Sequence, residues 1–469
     1  SDEFRRAAHQ LVDWMAGYLE EVGQLPVTPD VHPGDVIRML PTAPPEEGEP
    51  FDAIWQDFQQ LILPGMTHWN HPGWFAYFPG NNSPASVLAE MLTATMGAQC
   101  MSWATSPAAT ELEQVTLDWL RRCLGLPPEF LGVIQDTAST ATLVALLSAR
   151  ERATNYQAGL RGLTAESPTL TVYASTEAHS SVEKAVKLSG IGLEQFRRIP
   201  VDTEYAMRPE LLEQAIRKDR ESGYQPACVV ATVGTTSSTA IDPLPAIAEI
   251  CRTNSLWLHV DAAYAGPAAL VPELRPLFAG IEQADSLVLN PHKWMLVNFD
   301  CSAYFLRDRE ALLRTFQVTP EYLRTSQDAE VVNFRDWGIQ LGRRFRALKL
   351  WFVMRSYGIN GLRELIRKHV DLARELAGWI ETSPDFEVMA PVRFGLVCFR
   401  YRPPHPAAGT NDTDDLNRRL LARVNATRRV YLTHTMLNGR YVLRMVVGQR
   451  LTERHHVEEA WRLIVESAG

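Results

Sequence analysis

No two of the six cysteines (Cys100, Cys123, Cys228, Cys251, Cys301, Cys398) form a CxxC pair. Far apart in a chain this long, they read as reduced, mostly buried thiols of a cytoplasmic protein. An apolar run of about 18 residues, the length of a membrane-spanning helix, is also missing. The opening SDEFRRAAHQ is polar and has no signal-peptide core; without an initiator Met it reads as trimmed. Basic blocks are absent and the net charge is −9, so neither nucleic acid nor an anionic membrane is an expected partner. There is no repeat and no low-complexity tract. His68 and His71 in THWNHPGW have two-ligand spacing but no evident third ligand, so no metal is expected. The adjacent His455 and His456 read as a surface pair.

What is present is the composition of an ordinary globular protein, 46% hydrophobic and 22% charged over 469 residues, enough for two or three domains. Phe4, Ala7, Leu11, Met15, Tyr18 and Leu19 recur at helical spacing behind Ser1-Asp2, a cap candidate. A Pro- and Gly-rich stretch, 25–50, follows as an extended connector. Such a helix and arm cannot bury themselves alone and must pack on another domain or subunit.

From residue 130 the pattern changes to short β-branched runs: 132–135, 170–175, 227–234, 256–263, 286–290 and 301–307. Helical stretches such as 140–154 and 244–254 lie between them. Alternation of this kind predicts an α/β domain with a mostly parallel sheet, whose ligands bind beyond the carboxyl ends of the strands. A long helical region is expected over 341–380, then a smaller C-terminal α/β domain with helices near 413–426 and 453–468.

The strand ends carry the unusual residues. After GVIQ, the sequence DTASTATL places Thr137, Ala138, Ser139 and Thr140 at a helix start, a natural phosphate cradle but equally an ordinary N-cap. Asp261 ends the apolar run of LWLHVDAAYAG, where a carboxylate needs a cation or a capping role. Lys293, in NPHKW, follows the next run. A desolvated lysine has a lowered pKa and becomes a nucleophilic amine, although a buried salt bridge to Asp261 is the plainer alternative. His179 opens a helix after the 170–175 run, and Gly234, Thr235 and Thr236 end another. Together these ends offer an anion site, an acid, an amine, an imidazole and hydroxyls. Pyridoxal phosphate uses that whole set: a cradle for its phosphate, a lysine for its aldehyde and an acid for its pyridinium nitrogen.

The motifs FAYFPG, SPAATELE, HVDAAYAG, NPHKWMLVNFDCSA, LGRRFRALKLW and GLVCFR run over nearly the whole chain. They closely resemble the pyridoxal-phosphate-dependent aromatic L-amino acid decarboxylases, the group of animal dopa decarboxylase and plant tryptophan and tyrosine decarboxylases. The resemblance implies a fold-type-I homodimer. Its parts would be an N-terminal helical arm (1–75) wrapping the partner, a large cofactor-binding domain (76–360) with a mostly parallel sheet flanked by helices, and a small C-terminal α/β domain (361–469). Carried over position by position, Lys293 is the lysine that condenses with the cofactor, Asp261 the pyridinium partner and His179 the stacking histidine. Ala138, Ser139, Asn290 and His292 are phosphate-side contacts, and Thr236 lies near the ring. A mobile loop, 318–330, would cover the site, with Tyr322 protonating the α-carbon; related aldehyde synthases tend to carry Phe there. Trp69, Phe78, Gly80, Gln99, Met101 and Gly342 fall at the side-chain pocket. Gly342 matches a position where small residues go with larger rings, which tilts the expectation toward tryptophan, 5-hydroxytryptophan or dopa over tyrosine.

Overall fold

The computed structural model describes residues 1–318, 320–321, 327–328, 330–403 and 413–469. Seven strands form the main sheet: β1 (Leu131–Gln135), β2 (Leu170–Ser175), β3 (Phe196–Ile199), β4 (Gln225–Thr232), β5 (Trp257–Asp261), β6 (Ser286–Leu289) and β7 (Ser302–Leu306). Their order is β1-β7-β6-β5-β4-β2-β3. The pairs β2–β3, β2–β4, β4–β5 and β5–β6 are parallel. Only β7 runs antiparallel, to β1 on one side and β6 on the other. Every strand but β7 therefore delivers its carboxyl end to the same edge.

Strands β5, β6 and β7 are buried along their whole length, as is β2. A sheet covered on both faces demands continuous apolar runs, which is why these strands were legible. The edge strand β3, FRRI, is buried only at its two ends, and its adjacent Arg197 and Arg198 hid it from a search for apolar runs. The helix Ala138–Ala153 makes much of the core on one face. Leu146 and Ala149 pack with Val172, Val230 and Trp257, while Ala141, Val144 and Ala145 pack with Val133, Val288 and Tyr304.

The predicted 341–380 helix starts later, at Arg346, and runs to Thr382 with a break at Gly358 (φ 63°). Gly342 and Arg343 thus stand in a turn before it. A second sheet joins β8 (Phe386–Val388), β9 (Leu396–Tyr401), β10 (Thr433–Leu437) and β11 (Arg440–Val446) in the order β10-β11-β9-β8. The 25–50 connector contains a short helix, Asp35–Met39, where only extended chain was expected. Ser1 makes no side-chain cap; Arg5 bonds Asp2 instead.

Two compact units result. One comprises 1–79, 379–387 and 399–469; the other comprises 80–378 and 388–398. In the first, the helix Asp2–Glu21 buries only Ala7 and leaves Phe4 71% exposed. Its Trp14 meets Trp55 and Phe58 edge-on, and the Tyr18 hydroxyl lies 2.8 Å from His68 Nδ1. Among the described residues no helix is long and apolar enough to cross a membrane.

Candidate active site

The common strand edge gathers most of the residues singled out from sequence. Thr137 caps the helix Ala138–Ala153, its hydroxyl accepting from Thr140 N at 3.4 Å. The first amides of a helix have no carbonyl partner within it, so those of Ala138 and Ser139 face outward with the positive helix end. Asp136 fixes the turn: Oδ1 accepts from Thr137 N, and Oδ2 from Gln340 Nε2 at 3.1 Å.

Asp261 closes β5, in register with Thr232 and Val288 on the strands either side. The residue is buried. Its Oδ1 accepts from Ala263 N at 3.0 Å, leaving Oδ2 for a further partner. After β4, Gly234 turns at φ 84°, and a Cβ there would come 2.6 Å from that of Ala265. Only glycine fits, and this close turn sets the start of the Thr235-Thr236 hydroxyls. Thr235 is buried and bonds Ser238, whereas Thr236 is exposed.

Lys293 sits on the one-turn helix Pro291–Trp294 just past β6. Trp294 is fully buried, stacked on Tyr264 at 4.8 Å and bonded through Nε1 to His369 at 3.0 Å. Asn81 Nδ2 holds the Lys293 carbonyl at 2.9 Å. The backbone is thereby anchored on both sides. Burial lowers the Lys293 pKa, opposed by the nearby Asp261 carboxylate. His179 caps the helix Ser180–Leu188, with Nδ1 accepting from Ser181 N at 3.1 Å and 2.8 Å from its hydroxyl. Desolvation lowers its pKa; Asp261 raises it and Lys293 lowers it further, which puts the three groups within electrostatic reach.

His292 is buried and accepts from Cys301 N at 2.9 Å through Nδ1, so a neutral ring carries its proton on Nε2. Desolvation, then Lys293, push its pKa down to about 4. Asn290 Oδ1 accepts from Ser302 Oγ at 2.7 Å, and the same hydroxyl lies 3.3 Å from the Asp136 carbonyl. Ser302, on β7, therefore bridges the lysine segment and the phosphate-type turn. Sequence reading missed it, although a buried serine opening the apolar run SAYFL was a signal.

The expected pocket residues divide. Gln99 and Gly342 come together: a Cβ at Gly342 would lie 3.1 Å from Gln99 Nε2, and Gln99 Oε1 accepts from Arg343 N at 2.8 Å; Met101 O, two residues on from Gln99, accepts from Arg335 N at 2.9 Å. Gly80 precedes Asn81, the residue that holds Lys293. Trp69 and Phe78 belong to the other unit, Trp69 41% exposed against Trp74 and Phe78 buried under Arg444. Tyr322 lies outside the described residues. His68 and His71 are engaged by Tyr18 and by the backbone of Gly23 and Gly73.

An anion-binding helix end, a buried acid, a lysine of lowered pKa and a histidine thus share one edge of one sheet. This donor set fits pyridoxal phosphate. The comparisons agree: residues 33–402 match the model of the pyridoxal-dependent decarboxylase conserved domain, and the chain belongs to that family. It is a pyridoxal-phosphate-dependent decarboxylase on a fold-type-I scaffold. The chain is 44% identical to rice tryptophan decarboxylase 2, covering 100% of this chain and 95% of the relative. It is equally 44% identical to phenylacetaldehyde synthase of Arabidopsis thaliana, over 100% of this chain and 96% of that one. The crystal structure of Oryza sativa TDC with PLP and tryptamine superposes with a TM-score of 0.96 at 40% identity, covering 100% and 98% of the two chains.

Proposed function

We propose that the chain decarboxylates an aromatic L-amino acid to the arylethylamine and carbon dioxide, with tryptophan, 5-hydroxytryptophan or dopa ahead of tyrosine. The observation that carries the reading is the convergence of Lys293, Asp261 and His179 at one sheet edge, within electrostatic reach of one another. Relatives named for tryptophan decarboxylation support the aromatic substrate.

When bound, pyridoxal phosphate supplies an electron sink for the α-carbon that loses its carboxylate. The amides of Ala138 and Ser139, with Asn290 and His292, would hold its phosphate, with Thr236 near the ring. Asp261 would keep a proton on the ring nitrogen, and His179 would stack on the ring. Lys293, whose pKa burial lowers, would be the amine that condenses with the aldehyde. Gly80, Gln99, Met101 and Gly342 would line the side-chain pocket, and Tyr322 would return a proton to the α-carbon.

The second reading is an aromatic acetaldehyde synthase, which consumes oxygen and releases ammonia and hydrogen peroxide besides carbon dioxide; the 44% identical phenylacetaldehyde synthase favours it. Tyr322 weighs toward the amine. A one-pot competition of tryptophan, 5-hydroxytryptophan, dopa, tyrosine and phenylalanine decides, with amine, aldehyde and peroxide quantified. Aldehyde as main product selects the synthase; no turnover of any of the five refutes both.

We also propose a homodimer in the cytoplasm. On the helix Pro84–Met96, Leu88 (52%), Leu92 (48%) and Met96 (57%) are exposed at four-residue intervals, a stripe that a second copy would cover. Sedimentation at micromolar concentration showing a 53 kDa species alone would exclude the dimer (chain mass 52.7 kDa).

A further inference from the structure

We propose that Arg343 is a positioning residue which, through the buried carboxylate of Glu113, locks the side-chain pocket to the turn that holds the cofactor's phosphate. This deepens the proposed function and rests on its assignment of Gln99 and Gly342 to the pocket.

The backbone of Arg343 clasps the pocket: its N–H donates to Gln99 Oε1 at 2.8 Å, and its carbonyl accepts from Cys100 N at 2.9 Å. Its side chain reaches the other way. Nη2 and Nη1 donate to Glu113 Oε1 and Oε2 at 2.7 and 3.1 Å, and Nη2 also donates to the Ile134 carbonyl at 2.8 Å. Glu113 Oε1 in turn accepts from Ile134 N at 2.8 Å, so one fork holds both polar groups of one β1 residue. Two residues further on is Asp136, which opens the phosphate turn. The guanidinium lies 4.7 Å over the Phe334 ring. Both Arg343 and Glu113 are buried, so neither is screened by water.

A second set of bonds runs parallel to the first. Gln135 Nε2 donates to the Trp337 carbonyl at 3.2 Å, and Gln340 Nε2 to Asp136 Oδ2 at 3.1 Å. A Cβ at Gly338 would come 2.9 Å from Gln135 Nε2, so the two segments are as close as glycine allows. The 337–343 segment is therefore fastened to the last residues of β1 at three points, and to Gln99-Cys100 at its far end. A shift at Arg343 displaces the pocket and the phosphate turn together.

Glu113 had a sequence signal. On the helix Pro107–Leu124 it shares the buried face with Ala109, Thr110, Thr116, Leu117 and Leu120. A carboxylate on such a face needs a fixed cationic partner.

The test uses Arg343→Lys, which keeps the charge and loses the two-pronged geometry, and Glu113→Gln, which keeps an acceptor for Ile134 N. The control is Asp219→Asn, which weakens a partly buried fork to Arg197 on the opposite flank of the sheet. Each apo-protein is titrated with pyridoxal phosphate by visible absorbance, and each holoenzyme is assayed for kcat and KM on tryptophan and tyrosine, with Tm recorded. The expected result is a cofactor Kd raised about tenfold and a tryptophan-to-tyrosine kcat/KM ratio changed about fivefold in both Arg343→Lys and Glu113→Gln. Asp219→Asn should lower Tm while moving neither quantity. If the Arg343 and Glu113 variants lower Tm alone, as the control does, the pair is merely structural and the proposal fails. Should the parent turn over no aromatic acid, the pocket assignment fails instead, and an unchanged cofactor Kd would still overturn the clamp by itself.

Discussion

Replacing Gly342 by alanine offers the sharpest test of the pocket. The added Cβ would lie 3.1 Å from Gln99 Nε2, closer than ordinary van der Waals contact. The amide cannot simply swing aside, because Gln99 Oε1 accepts from Arg343 N at 2.8 Å. Turning it away lengthens or breaks that bond, a loss of about 1 kcal/mol whatever the substrate. The methyl group also removes volume that only a larger ring requires, roughly a further 1 kcal/mol for the indole of tryptophan. At 1.4 kcal/mol per decade, kcat/KM should fall about thirtyfold for tryptophan but only about fivefold for tyrosine. Both are measured by competition in one vessel, which cancels errors in active-enzyme concentration. A cycle adds the mechanism: in a Gln99→Ala background the amide is gone, and Gly342→Ala should then cost only the volume part. Equal losses for the two amino acids, or a full penalty without the Gln99 amide, would refute the reasoning.

Lys293→Ala should abolish the visible absorbance of covalently bound cofactor and reduce kcat by at least about a thousandfold; retained absorbance with normal turnover would remove Lys293 from its role. Tyr322→Phe should shift product from amine toward aldehyde, read as peroxide formed per carbon dioxide released. Acid should destabilise the fold. Burial holds His71, His259 and His292 down to about 4, below the roughly 6.5 of the unfolded chain. The unfolded state then takes up protons first, so this stability is complete above about pH 6.5 and is lost as pH falls toward 4. Asp242, pushed up to about 6 by burial, works in the opposite direction. His71→Gln should therefore lose about 2 kcal/mol less than the parent between pH 7.5 and 5.0 in urea titrations; equal losses would show that His71 is not among the groups responsible.

The main sheet was readable because strands buried on both faces must be apolar throughout, and the site because its residues fall where those strands end. What escaped was held by polar contacts that leave no period in the sequence. Strand β3 escaped because Arg197 forks to Asp219 and Arg198 bonds Glu183, so half its residues are charged. The antiparallel sense of β7 had no local signature either. The late start of the Arg346 helix follows from the bonds of Gln340 and Arg343 to residues more than 200 positions away. Periodicity reports which face is buried; it does not report which distant residue completes a hydrogen bond.

Strand β7 also sets the spacing between the two halves of the cofactor site. The phosphate turn leaves β1 at residue 136 and the lysine follows β6 at residue 293, but the two strands never touch. Within the sheet they are joined through β7, whose Leu306 pairs with both Leu131 and Ser286. A growing chain that has already emerged past Lys293 still lacks the wedge that sets the two halves of the cofactor site apart at the right spacing. Pairings between residues this far apart in sequence are slow to form. Tight cofactor capture is therefore a property of the nearly finished domain, and uptake during synthesis would report its completion.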